Sequence, residues 1–169
     1  QLMPINSLYQ MMSLVESRSS DLERAATFLT MPDLFNYWLT GVKVVEYSNA
    51  STTQMVDIQS GDWARSLLSD LGIPTDIFPE LVPSGTLLGE YEGIAVIAPA
   101  CHDTGSAVAA VPAGEKDFCY ISSGTWSLVG VEEAKPLVNQ QSFEANFTNE
   151  GGVYGTTRLL KNVMGLWIV

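Results

Sequence analysis

The stretch Ile94-Ala-Val-Ile-Ala-Pro-Ala-Cys-His-Asp-Thr-Gly-Ser-Ala-Val-Ala-Ala-Val111 carries an apolar run straight into the only histidine of the chain and an adjacent aspartate. Ile94 to Ala98, bounded by Gly93 and Pro99, predicts a short buried strand, and the small residues Ser106 to Val111 predict a helix able to pack close to a sheet. In a parallel α/β sheet, ligands bind where a strand end passes into a helix start. His102, Asp103 and Thr104 fall at that junction. Asp103 has two readings there. Its carboxylate would cap the helix by accepting from backbone N–H groups two or three residues on, or it would accept the proton of a substrate hydroxyl as a general base. His102 is either a hydrogen-bonded packing residue or a group whose donor and acceptor nitrogens suit a sugar hydroxyl.

Upstream the chain reads as helical. Ser20 and Glu23 make a capping box ahead of Leu22 to Leu29. Pro32 at a helix start, Leu34, Phe35, Trp38 and Leu39 at helical spacing and Gly41 at the end define a second helix, its stripe predicted to face the core. A third is expected from Asp62 to Leu71, with Trp63, Leu67, Leu68 and Leu71 on one face and Gly72 as the stop. Pro74, Pro79, Pro83, Gly85 and Gly89 make residues 73 to 89 a connection with little regular structure.

Downstream, Pro112 to Asp117 is a polar break and the expected domain boundary. Phe118 to Ile121 and Thr125 to Val131 flank Ser122-Ser-Gly-Thr125 and predict a hairpin. That turn is either an ordinary hairpin turn or a cradle of hydroxyls and backbone N–H groups for a phosphate. Asn149-Glu-Gly-Gly-Val-Tyr-Gly155 reads as a loop. Leu159, Leu160, Val163, Met164 and Trp167 recur at helical spacing, which puts Asn162 on a final helix as a surface residue or a nucleotide contact.

Composition narrows the function. An apolar fraction of 46%, with six Tyr, six Phe and four Trp, gives a globular chain rather than a disordered one. A net charge of −11 repels phosphate backbones and anionic membrane surfaces, which argues against nucleic-acid or membrane partners. No apolar run approaches the roughly 20 residues of a membrane span, and the Gln1-Leu-Met-Pro start has no basic n-region, so a cytoplasmic location is expected. Cys101 and Cys119 have no metal-ligand spacing and are expected as buried, inert thiols.

Met31-Pro-Asp-Leu-Phe-Asn-Tyr-Trp-Leu-Thr-Gly41, Ser48-Asn-Ala-Ser-Thr-Thr53, Trp63 to Gly72, Gly93 to Asp103 and Tyr120-Ile-Ser-Ser-Gly-Thr125, taken in order, resemble the FGGY family of carbohydrate kinases over essentially the whole chain. Met3-Pro-Ile-Asn-Ser-Leu-Tyr-Gln10, Cys101-His-Asp-Thr104, Ser122 to Ser127 and Arg158 to Trp167 look most like its members that act on L-rhamnulose. The resemblance implies a ribonuclease-H-like, actin-like α/β fold. Residues 1–111 would end the sugar-binding domain and residues 112–169 begin the nucleotide-binding domain. It further implies ATP and Mg²⁺ as cofactors, Asp103 as the base toward the sugar's 1-hydroxyl, and His102 and Thr104 as sugar contacts beside it. Thr125 and Asn162 match nucleotide-binding positions. Members of the family are longer, so the remainder of such a chain would be a partner of this one. The stretch corresponds to a middle third lacking the Gly-rich ATP loop, and in isolation it is expected to be inactive and to self-associate through unpaired edges. Other ketoses or polyols (L-fuculose, D-xylulose, glycerol) remain as alternative substrates, and a noncatalytic actin-like binding module as an alternative function.

Overall fold

A computed structural model describes residues 3–115 and 117–166. The first part is assembled on a core of Val45, Met55, Trp63, Leu68, Ile73 and Phe78. Helices α1 (Ser7–Glu16), α2 (Ser20–Arg24) and α3 (Met31–Thr40) lead into strand β1 (Val45–Glu46), the short helix α4 (Tyr47–Ala50) and a 3₁₀ turn, Ser51–Thr53. A ribbon of β2 (Val56–Asp57) and β3 (Asp62–Trp63) precedes α5 (Arg65–Asp70). Strand β4 (Leu81–Val82) then returns parallel to β1, pairing Val45 with Leu81 and Glu46 with Val82. Phe28, Trp63 and Phe78 stack at centroid separations of 5.9 Å (Phe28–Trp63) and 4.8 Å (Trp63–Phe78), and the Trp63 indole N–H donates to the Pro79 carbonyl at 2.7 Å. A large ring is thereby buried without orphaning its polar edge.

Three helix expectations need adjustment. Ser19, not Ser20, caps α2 by accepting from the Asp21 N–H, and the helix stops at Arg24 because the following chain extends until the Phe28 N–H donates to the Ile77 carbonyl at 2.7 Å. The helix expected from Asp62 starts at Arg65, since Asp62 and Trp63 are drawn into pairing with Asp57 and Val56. In α3 the start at Pro32 and the stop at Gly41, with φ of 73°, are as expected, yet Phe35, Trp38 and Leu39 are exposed and Asp33 is the buried residue. The α3 stripe is therefore no core face among the described residues.

The stretch quoted at the outset departs further. Strand β5 (Thr86–Tyr91) arises inside the segment expected to be irregular and pairs antiparallel with β6 (Ile94–Ala98). Glu92 and Gly93, both at positive φ, turn between them as a tight two-residue hairpin requires. Ile94 and Ile97 are exposed, so β6 is a hairpin strand rather than the buried parallel strand its apolar run suggested. Helix α6 (Asp103–Ala109) follows as expected, after the loop Pro99 to His102.

The second part is a four-stranded antiparallel sheet in the order β7 (Cys119–Ser123), β8 (Trp126–Glu133), β10 (Thr157–Met164), β9 (Thr148–Gly151), with α7 (Gln140–Glu144) between β8 and β9. The β7–β8 hairpin is the expected one, Ser123 facing Ser127 across the turn. The final helix is corrected to a strand: β10 pairs residue by residue with β8 from Thr157–Glu133 to Met164–Trp126. Thr157, Arg158, Leu159 and Leu160 are buried in succession, so both faces of this strand are covered. Such a run loses the two-residue alternation and imitates a helix. Trp167 lies outside the described residues, as does Lys116 in the polar break. Residues 149–155, expected as a loop, begin as the end of β9 and continue as a 3₁₀ turn, Val153–Gly155. Among the described residues, no helix is long and apolar enough to cross a membrane.

Candidate active site

Both parts contribute to one cavity of about 620 Å³. His102, Asp103 and Thr104 line it from the start of α6, Ser122 to Thr125 from the β7–β8 turn, and Asn162 from β10. All five residues singled out in the sequence (His102, Asp103, Thr104, Thr125 and Asn162) thus border the same space. Asn162 reaches it from a strand rather than from a helix, beside Leu128 in register.

The capping reading of Asp103 does not describe its hydrogen bonds. His102 occupies the N-cap position of α6 without a side-chain bond, and Asp103 is the first helical residue. Its Oδ1 accepts from the N–H of the very next residue, Thr104, at 2.6 Å and from the Thr104 hydroxyl at 3.3 Å. No N–H two or three residues on is engaged. With its side chain 95% exposed, the carboxylate is free to meet a ligand. Thr104 is itself buried, with its hydroxyl turned toward Asp103.

His102 is held from three sides. Its Nδ1 lies 3.3 Å from Nη2 of Arg158 and 3.8 Å from Oε2 of Glu150, and its Nε2 lies 3.7 Å from Asp103 Oδ1. Burial pushes the imidazole below its ordinary range, with Arg158 acting in the same sense and the Glu150, Asp103 and Glu46 carboxylates opposing. Arg158 is fully buried; it pairs with Glu150 at 3.2 Å and donates from Nε to the Gly151 carbonyl at 3.0 Å. A side chain from the second sheet thereby reaches the helix start of the first part.

The loop before α6 is anchored by Glu46, which is also fully buried. Its carboxylate accepts from the backbone N–H groups of Ser48 (2.9 Å), Asn49 (3.2 Å) and Cys101 (2.9 Å), and from the hydroxyls of Ser48 and Ser84, both at 2.6 Å. The Ser48 hydroxyl in turn accepts from the His102 N–H at 3.3 Å. Neither Glu46, Glu150 nor Arg158 was singled out from the sequence. The one available signal was a charge set against an apolar pair, Val44-Val45 before Glu46 and Leu159-Leu160 after Arg158.

The β7–β8 turn is braced from behind. The Leu166 N–H donates to the Gly124 carbonyl at 2.9 Å, and a Cβ on Gly165 would lie 2.6 Å from that oxygen. Only glycine permits so close an approach. Thr125 sits exposed at the turn and lines the cavity.

Both cysteines are free thiols, but Cys119 is exposed on β7 rather than buried. Cys101 is half-buried, and burial first, then the Glu46 and Asp33 carboxylates, pushes its thiol up to about 12. Since the thiolate is the reactive form, a thiol reagent is expected to label the exposed Cys119 in the native protein and Cys101, half-buried with its thiol pushed up, only after unfolding. Labelling of both at equal rates, read by mass spectrometry, would contradict this.

A model of the FGGY family of carbohydrate kinases, N-terminal domain, matches residues 1–98, and one of the C-terminal domain of the same family matches residues 119–169. The chain belongs to this family. It is 45% identical over its whole length to a protein named rhamnulokinase from Pectobacterium carotovorum subsp. carotovorum (strain PC1), and 44% identical to one from Yersinia pestis (strain Pestoides F). It spans 35% and 36% of the lengths of these relatives. Among solved structures, a ligand-bound xylulose kinase from Lactobacillus acidophilus superposes with a TM-score of 0.79 at 17% identity, covering 95% of this chain and 34% of that one. A xylulose kinase from Rhodospirillum rubrum gives 0.79 at 18%, covering 96% and 35%. The fold is accordingly that of these sugar kinases, the ribonuclease-H-like, actin-like α/β fold expected from the sequence.

Proposed function

We propose that this FGGY chain is the central part of a longer ATP-dependent sugar kinase that phosphorylates the 1-hydroxyl of L-rhamnulose in the cytoplasm. The observation that carries the reading is the meeting, in one cavity, of an exposed carboxylate with a hydroxyl-bearing turn from a separate sheet. Residues 1–111 supply the sugar side and residues 112–169 the beginning of the nucleotide side. Asp103 accepts the proton of the sugar hydroxyl as that oxygen bonds to the γ-phosphorus of ATP; the bond from the γ-phosphorus to the bridging oxygen breaks and ADP leaves. His102 and Thr104 orient the sugar beside that base, while Thr125 and Asn162 face the nucleotide. Such a transfer draws its rate mainly from positioning and charge stabilisation.

Mg²⁺ fits this arrangement as a companion of the nucleotide. Among the described residues no three His, Cys, Asp or Glu side chains are grouped as a protein-held metal site needs. The ion would be carried by the ATP phosphates and would neutralise charge developing on them; the acidic side chains lining the cavity are Asp103 and Glu150. L-rhamnulose is favoured over other ketoses and polyols by the 44–45% identity to proteins bearing the rhamnulokinase name.

ADP release by the full-length enzyme with Mg²⁺-ATP, measured against L-rhamnulose, L-fuculose, D-xylulose and glycerol, tests both levels. The expected result is the highest kcat/KM on L-rhamnulose. A higher value on another sugar would overturn the substrate, and no stimulation by any of them would overturn the kinase. The 169-residue stretch alone is expected to release no ADP above background.

A further inference from the structure

Arg158 is a costly residue to bury, and its position must be explained by what its guanidinium meets. It is fully buried on β10, yet it faces a carboxylate, a carbonyl and an imidazole: Glu150 Oε2 at 3.2 Å, the Gly151 carbonyl at 3.0 Å and His102 Nδ1 at 3.3 Å. A guanidinium has donors only. The ring nitrogen it meets must therefore present a lone pair. Glu150 Oε2, the other group near Nδ1, is 3.8 Å away, beyond hydrogen-bond distance, and its ion-pair partner is Arg158.

We infer that Arg158 is a positioning residue for the sugar site: by donating to Nδ1 it fixes His102 as the neutral tautomer protonated on Nε2, which turns a donor N–H toward Asp103 and the cavity. This deepens the kinase reading and rests on it for the identity of the ligand, though the tautomer itself does not. Nε2 lies 3.7 Å from Asp103 Oδ1. A sugar hydroxyl placed against the carboxylate can then accept from the Nε2–H while giving its own proton to Asp103. Its lone pair is held by one residue and its proton taken by the other. The opposite tautomer would aim an acceptor at the same space, where it would compete with Asp103 for the hydroxyl proton.

The groups facing His102 are Asp103 on its own helix, Glu150 from β9, Arg158 from β10 and Glu46 from the start of α4. The imidazole is held below its ordinary value, so its neutral form is favoured by folding. The sign follows: this contribution to stability is present above the unfolded value of 6.5 and is lost as pH falls through and below it. Protonation would set an N–H against the Arg158 cation, and so would withdraw the arrangement in acid.

The test is ¹⁵N NMR of histidine-labelled full-length enzyme, with the His102 signals assigned as those lost in His102→Gln. The expected spectrum near neutral pH has an unprotonated Nδ1 and a protonated Nε2. In Arg158→Met the titration midpoint of His102 should rise as the cation beside it disappears. The KM for the sugar should rise about three- to tenfold, as expected for weakening one hydrogen bond. Arg158→Lys, which keeps charge and a donor, should retain the parent tautomer and provides the comparison if the methionine variant does not fold. A parent spectrum with the proton on Nδ1, or an Arg158→Met protein with unchanged tautomer and midpoint, would overturn the inference. Because the spectrum is read without sugar, a failure of the kinase reading would appear separately, as a correct tautomer with no sugar-stimulated ADP release.

Discussion

Asp103→Asn is expected to lower kcat of the full-length enzyme by about 10²- to 10⁴-fold, the usual range for removing a general base, while nucleotide binding stays unchanged. The exchange keeps size and keeps an oxygen able to accept from the Thr104 N–H, which Asp103 Oδ1 now does at 2.6 Å. The local backbone thus has no reason to move, and the side chain is 95% exposed, so no core is disturbed. What disappears is a carboxylate able to take a proton. Nucleotide binding should be spared because the residues proposed to face ATP, Thr125 in the β7–β8 turn and Asn162 on β10, belong to the second sheet rather than to α6. ADP release beside nucleotide binding by calorimetry separates the two effects. A variant with parental kcat would remove Asp103 from the chemistry, and a variant with weakened nucleotide binding would relocate its role.

Asp103 was legible because a strand-to-helix junction advertises itself in one dimension: an apolar run, a proline, a polar cluster, then small residues. The same local signals announced the β7–β8 hairpin and the start and stop of α3 at Pro32 and Gly41. Three features were not legible, each for a physical reason. β10 hid as a helix because a strand buried on both faces has no alternation to read. β6 passed for a parallel core strand because its apolar composition says nothing of which neighbour it pairs with, and the pairing is decided by the Glu92-Gly93 turn. The cluster of His102, Glu150 and Arg158 joins residues 56 positions apart, at His102 and Arg158. Glu150 and Arg158 sit among ordinary strand residues, and only the approach of the second sheet to α6 brings them to His102.

Glu46 belongs to the same class of hidden residue, and its removal should be among the most damaging changes the first part can suffer. Glu46→Ala would leave five donors without their acceptor: the N–H groups of Ser48, Asn49 and Cys101 and the hydroxyls of Ser48 and Ser84. The hydroxyls can rotate toward other acceptors, but the three N–H groups are fixed by the backbone. Two of them open α4, and the third holds the loop that presents His102 and Asp103. Breaking a buried charged hub of this kind costs about 3–5 kcal/mol, to be read as a lower midpoint in urea unfolding of the full-length enzyme. Glu46→Gln keeps the shape and one acceptor oxygen but turns an NH₂ donor toward donors, so its cost should fall between the parent and the alanine variant. The kinetic consequence should follow the Cys101 anchor rather than global stability: at temperatures where Glu46→Gln remains folded, kcat should fall because the Cys101-to-Asp103 segment is no longer held in register with the turn opposite. An alanine variant within about 1 kcal/mol of the parent, the typical effect of an unremarkable substitution, would mean that the five bonds are replaced elsewhere. A folded glutamine variant with parental kcat would mean that Asp103 is positioned by α6 alone.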